Sequence, residues 1–110
     1  MMLCLGIEST AHTFACCVIK HSKHEKYPNI LSDVRDTFKA PAGSGIHPRE
    51  AAHHHASVAI DVLKEALESS NIKYNDIDIV AYSAGPGLGP CLRIGAVLAR
   101  SICSFYDKKL

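Results

Sequence analysis

The segment that most restricts the fold is Asp78-Ile79-Val80-Ala81-Tyr82-Ser83, which runs directly into Gly85-Pro86-Gly87-Leu88-Gly89-Pro90 and then into Cys91 to Tyr106. The first stretch, apolar around Ile79, Val80 and Ala81, has the pattern of a central strand buried on both faces. Glycine and proline end it, and Pro90 suits the first position of a helix, where its missing N–H leaves nothing unpaired. The run from Cys91 to Tyr106 is apolar on most sides, which fits a helix sandwiched between layers. Lys108 and Lys109 follow its end, where cations suit the helix dipole. A buried strand joined to an apolar helix by a glycine-rich turn is an α/β arrangement.

The preceding residues supply the rest of the sheet. Leu3 to Ile7 and Thr13 to Ile19 have strand length, and Glu8-Ser9-Thr10-Ala11-His12 between them reads as a hairpin tip. Lys20 to Asn29 is polar and carries a proline, hence an exposed turn. Over Ile30 to Phe38, the apolar Ile30, Val34 and Phe38 alternate with Leu31, Asp33, Arg35 and Thr37, as in a strand covered on one side. Ala40 to His47 is a Gly/Pro/Ser loop. Pro48 then opens a helix with Glu50 in its first turn. Ala52, Ala56, Ala59, Leu63 and Ala66, with Val62 and Leu67, form an apolar stripe that ends near Ser70.

The order is β-β-β-α-β-α within one domain, residues 1–110, which is the start of a ribonuclease H-like fold. Such a sheet takes one more strand after the second helix, and an uncovered edge there is an aggregation liability. The lobe is therefore expected to be incomplete at Leu110.

Composition narrows the function classes. A formal charge of +1 provides no broad electrostatic footprint for nucleic acid. Five cysteines form an odd count without C-x-x-C spacing, and Cys4, Cys16 and Cys17 sit in strand-like runs as small buried hydrophobes. No apolar run reaches the ~18 residues of a membrane span, and Met1 to Ile7 lacks the basic start of a signal peptide. These features place the chain in a reducing compartment, the cytosol or also the nucleus.

Two segments carry candidate chemistry. In Ser83 to Gly95 the glycines let backbone N–H groups turn toward an anion while the next helix aims its positive end there. The same glycines equally serve a plain strand-to-helix turn. No Gly-Lys-Ser/Thr follows, and the spacing of Gly85, Gly87 and Gly89 is not the dinucleotide fingerprint. Glu8, Ser9 and Thr10 end the first strand. If that strand lies parallel to the Ile79 strand, they share a rim with the glycine loop, the place where α/β sheets gather ligands. A carboxylate there suits a ligand hydroxyl or a metal ion, and the two hydroxyls suit a phosphate; a hairpin turn of small polar residues would look the same. His53, His54 and His55, with His47, are not a metal cluster, because consecutive helical residues point about 100° apart. They read as solvated or cap-satisfied. Arg93 and Arg100 share a helical stripe and read as salt-bridged or partner-facing.

Leu5-Gly6-Ile7-Glu8-Ser9-Thr10-Ala11-His12-Thr13, Ile46 to His55 and Ser83 to Gly95 together resemble the tRNA threonylcarbamoyltransferase family, the catalytic subunit of KEOPS, once called O-sialoglycoprotein endopeptidases. The resemblance spans Met1 to Leu110, and the Glu-Ser-Thr-Ala-His form is similar to the archaeal and eukaryotic branch. It implies an ASKHA fold (actin, sugar kinase, Hsp70) of two ribonuclease H-like lobes. It also implies transfer of a threonylcarbamoyl group from threonylcarbamoyl-adenylate to N6 of adenosine 37 in tRNA. An iron or zinc ion acts in the family as a Lewis acid, on ligands that include a His pair expected beyond Leu110. Glu8, Ser9, Thr10, Gly85, Gly87, Gly89 and Arg93 match the cleft segments that would border threonylcarbamoyl-adenylate or ATP. The implied partners are KEOPS subunits, the small dimerising one on the two helices and a kinase-like one, with tRNA bound by the full complex. By itself the 110-residue stretch is expected to be inactive.

Two other readings compete. A non-catalytic interaction module would only present the two helices to a partner. A sugar or acetate kinase-like phosphotransferase of the same superfold would need an Asp where Ser9-Thr10-Ala11 stands. No nucleophile–base pair supports a protease.

Overall fold

The computed structural model describes residues 1–110. Strands β1 (Met2–Glu8), β2 (Thr13–His21) and β3 (Asn29–Thr37) are followed by helix α1 (Pro48–Ser70), a 3-10 turn (Tyr74–Asp76), strand β4 (Ile79–Tyr82) and helix α2 (Gly89–Tyr106). The sheet order is β3-β2-β1-β4. β1–β2 and β2–β3 are antiparallel, and β1–β4 is parallel. This is the predicted ribonuclease H-like β-β-β-α-β-α lobe.

Alternation decides what the sheet covers. Leu3, Leu5 and Ile7 on β1 and Phe14, Cys16 and Val18 on β2 all turn to the face that carries α1 and α2. There they meet Ala59, Val62, Leu63, Ala66, Leu67, Ala99 and Ile102 in one core. Burying each large side chain of this kind stabilises the fold by about 1.5–3 kcal/mol. α1 begins with proline in its first turn and ends at Asn71 (φ 56°), whose N–H returns to the Glu68 and Leu67 carbonyls. α2 stops the same way at Asp107 (φ 53°). Both residues are Asx types, which tolerate the left-handed conformation.

Several expectations require correction. On β3, Ile30 is 70% exposed, whereas Leu31 packs against the core. Val18 pairs with Ser32 and Ile19 with Ile30, so Leu31 is an extra residue in a bulge, and the faces swap there. On α1 the buried stripe runs through Ala51, His55 and Ala59, and Ala56 is exposed. β4 is an outer strand rather than a doubly buried one: Val80 is buried, but Ala81 is exposed because nothing packs on the sheet's second face. α2 is likewise covered on one side only, with Val97 63% and Phe105 82% exposed. Cys16 is buried, and burial pushes its thiol up to about 12, whereas Cys4 and Cys17 lie half-buried on the open face. Beyond α2 the chain turns back alongside β4. Ile79 and Lys109 form a parallel bridge, and Val80 N–H donates to the Lys109 carbonyl at 2.9 Å. Lys108 Nζ donates to the Asn75 carbonyl at 2.7 Å rather than to the helix end.

Candidate functional site

The parallel β1–β4 pair carries the chain to one rim, with Ile7 beside Tyr82 in the register. Glu8 ends β1 there and Ser83 follows β4. The Thr10 N–H and the Ser83 hydroxyl both donate to Glu8 Oε1, the latter at 3.3 Å. Ser83 Oγ also accepts the Ser9 N–H at 3.1 Å, and Ser83 N–H donates to the Ile7 carbonyl at 3.0 Å. Burial alone would push the Glu8 carboxyl up. Bonds from the Thr10 N–H and hydroxyl, the Ser83 hydroxyl and the Ser9 N–H outweigh it and hold the group below the usual carboxylate value. Glu8 is therefore an ionised, oriented carboxylate at neutral pH.

The glycine loop is fastened to the same turn. Leu88 N–H donates to the Thr10 carbonyl at 2.7 Å. A Cβ on Gly87 would stand 2.6 Å from that carbonyl oxygen and 2.9 Å from Thr10 Cβ, so only glycine fits. Gly85 holds φ +152°, a conformation that side chains resist. Gly89 differs from both, since a Cβ there would meet nothing within 4 Å. α2 starts at Gly89 without a side-chain cap, directly after the Leu88 that is tied to Thr10.

Ser9 is fully buried with its hydroxyl unpartnered, against Gly95 of α2. It serves the rim through its backbone. Arg93 lies exposed on α2, outside the trough that Glu8 borders, and forms no ion pair; the same holds for Arg100. Of the two readings of these arginines, salt-bridged or partner-facing, the first is not met within this chain. Both lie on the exposed side of α2, where neither forms an ion pair.

Along the open face runs a trough of about 830 Å³, floored by Gly6, Ala15, Cys17 and Ala81 and edged by Glu8, Thr10, His12, Asp33, Arg35 and Ser83. Small residues make its floor. A Cβ on Gly6 would come within 2.8 Å of Cys17 Sγ. Arg35 pairs bidentately with Asp33 at 2.7 and 3.1 Å along its edge. Sequence reasoning missed Ser83, the residue that locks Glu8 to β4, because its partner is 75 positions away. It also misjudged His54 and His55. His54 is paired with Asp36, and His55 is fully buried. No three His, Cys, Asp or Glu side chains converge to hold a metal ion, so an iron or zinc does not fit on this chain's residues alone.

A four-stranded mixed sheet with two helices on one face, and a polar rim at the ends of its parallel strands, defines the first lobe of an ASKHA-type fold. The solved structure titled YeaZ from Pseudomonas aeruginosa superposes with a TM-score of 0.72 at 13% identity, covering 98% of this chain and 41% of that one. A second structure, described as similar to peptidase YEAZ from the same organism, gives 0.71 over the same shares. Residues 29–110 match the family model TsaD: tRNA N6-adenosine threonylcarbamoyltransferase. The chain belongs to that family. Relatives bearing this name include those of Pyrobaculum islandicum (54% identical over 101 residues, 92% of this chain and 28% of the relative) and Hyperthermus butylicus (53% over 106 residues, 96% and 28%). The relative from Caldivirga maquilingensis is 48% identical over 109 residues, 99% of this chain and 31% of its own length. The chain thus spans about three-tenths of the length of these relatives.

Proposed function

We propose that this chain is the opening lobe of a tRNA-modifying acyltransferase. It would transfer a threonylcarbamoyl group from threonylcarbamoyl-adenylate to N6 of adenosine 37 in tRNA. The observation that carries this reading is the family match, with about half of the residues shared with relatives of that name. The rim supplies fitting chemistry. Glu8, held ionised by Thr10 and Ser83, is placed to accept a hydrogen bond from a ligand hydroxyl. The uncapped start of α2 offers N–H groups and the positive end of its dipole to the phosphate of the adenylate or of ATP. Gly87 lets the loop lie close against Thr10, and Arg93 on the next turn supplies a cation near the docking surface. Iron or zinc, when bound in the whole protein, supplies Lewis-acid polarisation of the carbamoyl carbonyl. Its ligands would include the His pair that the family resemblance implies beyond Leu110.

The outward sides of the two helices carry Ile60, Val97 and Phe105, each more than half exposed. They suit an apolar partner, the small dimerising KEOPS subunit, with the kinase-like subunit and the tRNA engaged elsewhere in the cytoplasmic or nuclear complex. That surface also favours the second reading, a module that acts only by docking. No helix is long and apolar enough to cross a membrane.

Glu8→Gln in the full-length protein separates the two. A hydrogen bond to a charged group is worth about 1.5–3 kcal/mol, so modification of tRNA, read by nucleoside mass spectrometry, should fall about tenfold to a hundredfold. Subunit co-purification should be unchanged. Modification at the natural level would remove Glu8 from the site and leave docking as the function.

A further inference from the structure

The three consecutive histidines of α1 have different environments. His53 is exposed, His54 is mostly covered, and His55 is completely buried beneath the β1–β2 turn. The His55 ring lies 5.8 Å from Phe14. His54 Nδ1 and His55 Nδ1 are 2.9 Å apart, and His54 Nε2 is 2.8 Å from Asp36 Oδ1 on β3. One hydrogen-bonded line therefore runs from a half-exposed carboxylate to a buried imidazole. Its inner end is open. His55 Nε2 is buried and completes no hydrogen bond, although the backbone carbonyl of Ala11 lies beside the ring.

Hydrogen-bond valence allows two fillings of this line. An ionised Asp36 only accepts, so His54 Nε2 carries a hydrogen. The two Nδ1 atoms share one more. When it belongs to His55, both rings are neutral, and the bare Nε2 of His55 is left buried without a donor. When it belongs to His54, that ring is an imidazolium against Asp36. His55 is then neutral with its hydrogen on Nε2, directed at the Ala11 carbonyl. The second filling contains one more proton and gives the orphaned Nε2 a hydrogen that a small closure of the turn can bring to the Ala11 carbonyl, which matters because unsatisfied buried groups are costly.

We propose that Asp36, His54 and His55 form a proton-operated latch on the Ser9–His12 turn. One proton from water ends on His55 Nε2, and the shared hydrogen passes from His55 Nδ1 to His54 Nδ1. The positive charge thus rests on His54 beside Asp36, and Ala11 is fastened to α1. Loss of that proton frees the turn. Burial first, then the neighbouring His54, holds His55 below the ordinary histidine range. Glu8 and His12 of the turn also act on the His55 ring, the first favouring and the second opposing a charge there. Around His54 stand Arg49, Glu50 and His53 of its own helix with Phe38 of the loop after β3, and from α2 the buried Cys91 faces Pro48. The latch does not depend on what the rim binds.

The test is ¹⁵N-histidine NMR of the full-length protein between about pH 5 and about pH 8, the range of histidine titration. His55 should change from the Nδ1–H to the Nε2–H pattern at the same midpoint at which His54 gains its proton. Hydrogen exchange of the Ser9–His12 amides, corrected for its intrinsic pH dependence, should slow about tenfold below that midpoint, as expected when local opening becomes rarer. Asp36→Asn, at a partly exposed strand position, should keep the fold and uncouple the His55 tautomer change from pH, because no carboxylate remains at the outer end of the line. A His55 ring that keeps one tautomer throughout would overturn the latch. So would turn amides that exchange alike on both sides of the midpoint, or an Asp36→Asn variant that titrates like the natural protein.

Discussion

The two faces of the sheet are built on opposite rules. The covered face places Leu5, Phe14 and Val18, all at 0% exposure, against two helices. The open face presents Cys4 together with Gly6, Ala15, Cys17 and Ala81, small residues of which the last four floor the trough. One strand serves both, since successive side chains point to opposite sides. On β1 the residues between Leu3, Leu5 and Ile7 are Cys4 and Gly6, and Glu8 ends the open-face series at the rim. The contrast shows that the apolar volume holding the lobe together is concentrated on one face. The other face is left shallow enough for something to lie on it.

The contrast can be broken or sharpened by substitution. Phe14→Ala removes the largest fully buried ring and leaves a cavity that the helices cannot fill. It should cost about 3–5 kcal/mol in a denaturation experiment, and a loss below about 1 kcal/mol, the size of an average substitution, would mean that this face is not the core. At the rim, Gly87→Ala should cost about 1–3 kcal/mol, as overpacking does, because its methyl meets the Thr10 carbonyl at 2.6 Å. Gly89→Ala is its control and should change stability by less than about 1 kcal/mol. Equal losses at the two positions would show that the loop is not clamped to the turn. On the open face, Ala81→Ser should stay within about 0.5 kcal/mol, as exposed substitutions do; a larger loss would reveal that this face is packed in the protein tested.

The link between Glu8 and pH runs in the usual carboxylate direction. Its folded pKa is depressed, so its contribution is present above the unfolded value, about 4.3, and fades as pH falls through the folded one. The stability difference between the natural chain and Glu8→Gln, followed by thermal unfolding, should therefore shrink on acidification below about pH 4. A difference that grows with acid would mean that the Thr10 and Ser83 bonds do not favour the ionised form.

Strand and helix identities were legible because local periodicity encodes them. Leu3–Ile7, Thr13–Ile19 and the helix from Pro48 to Ser70 fall where the pattern indicated. What failed was environment. Alternation put Ile30 on the core face, but the bulge that seats Leu31 there depends on the pairing of β2 with β3. The apolar run of β4 is the same whether its strand is central or outermost, since the pattern does not count neighbours. His55 looked like a surface histidine in a row of three. Only the approach of Phe14 and the turn over α1 buries it.

The candidate site divides along the same line. The motif around Glu8 and the glycines that end β4 are written in consecutive residues, and backbone conformation is a local matter. Their meeting is not local. Glu8 reaches Ser83 and Thr10 reaches Leu88 only because β1 and β4 are parallel neighbours. Which hydroxyl turns inward, as in Ser9, and which line of polar groups stays buried, as in Asp36, His54 and His55, also depends on packing. Periodicity and turn chemistry act over a few residues, so the chain alone determines its elements and their order. Burial, pairing and the state of a buried proton arise from groups far apart in sequence, and only the folded arrangement decides them.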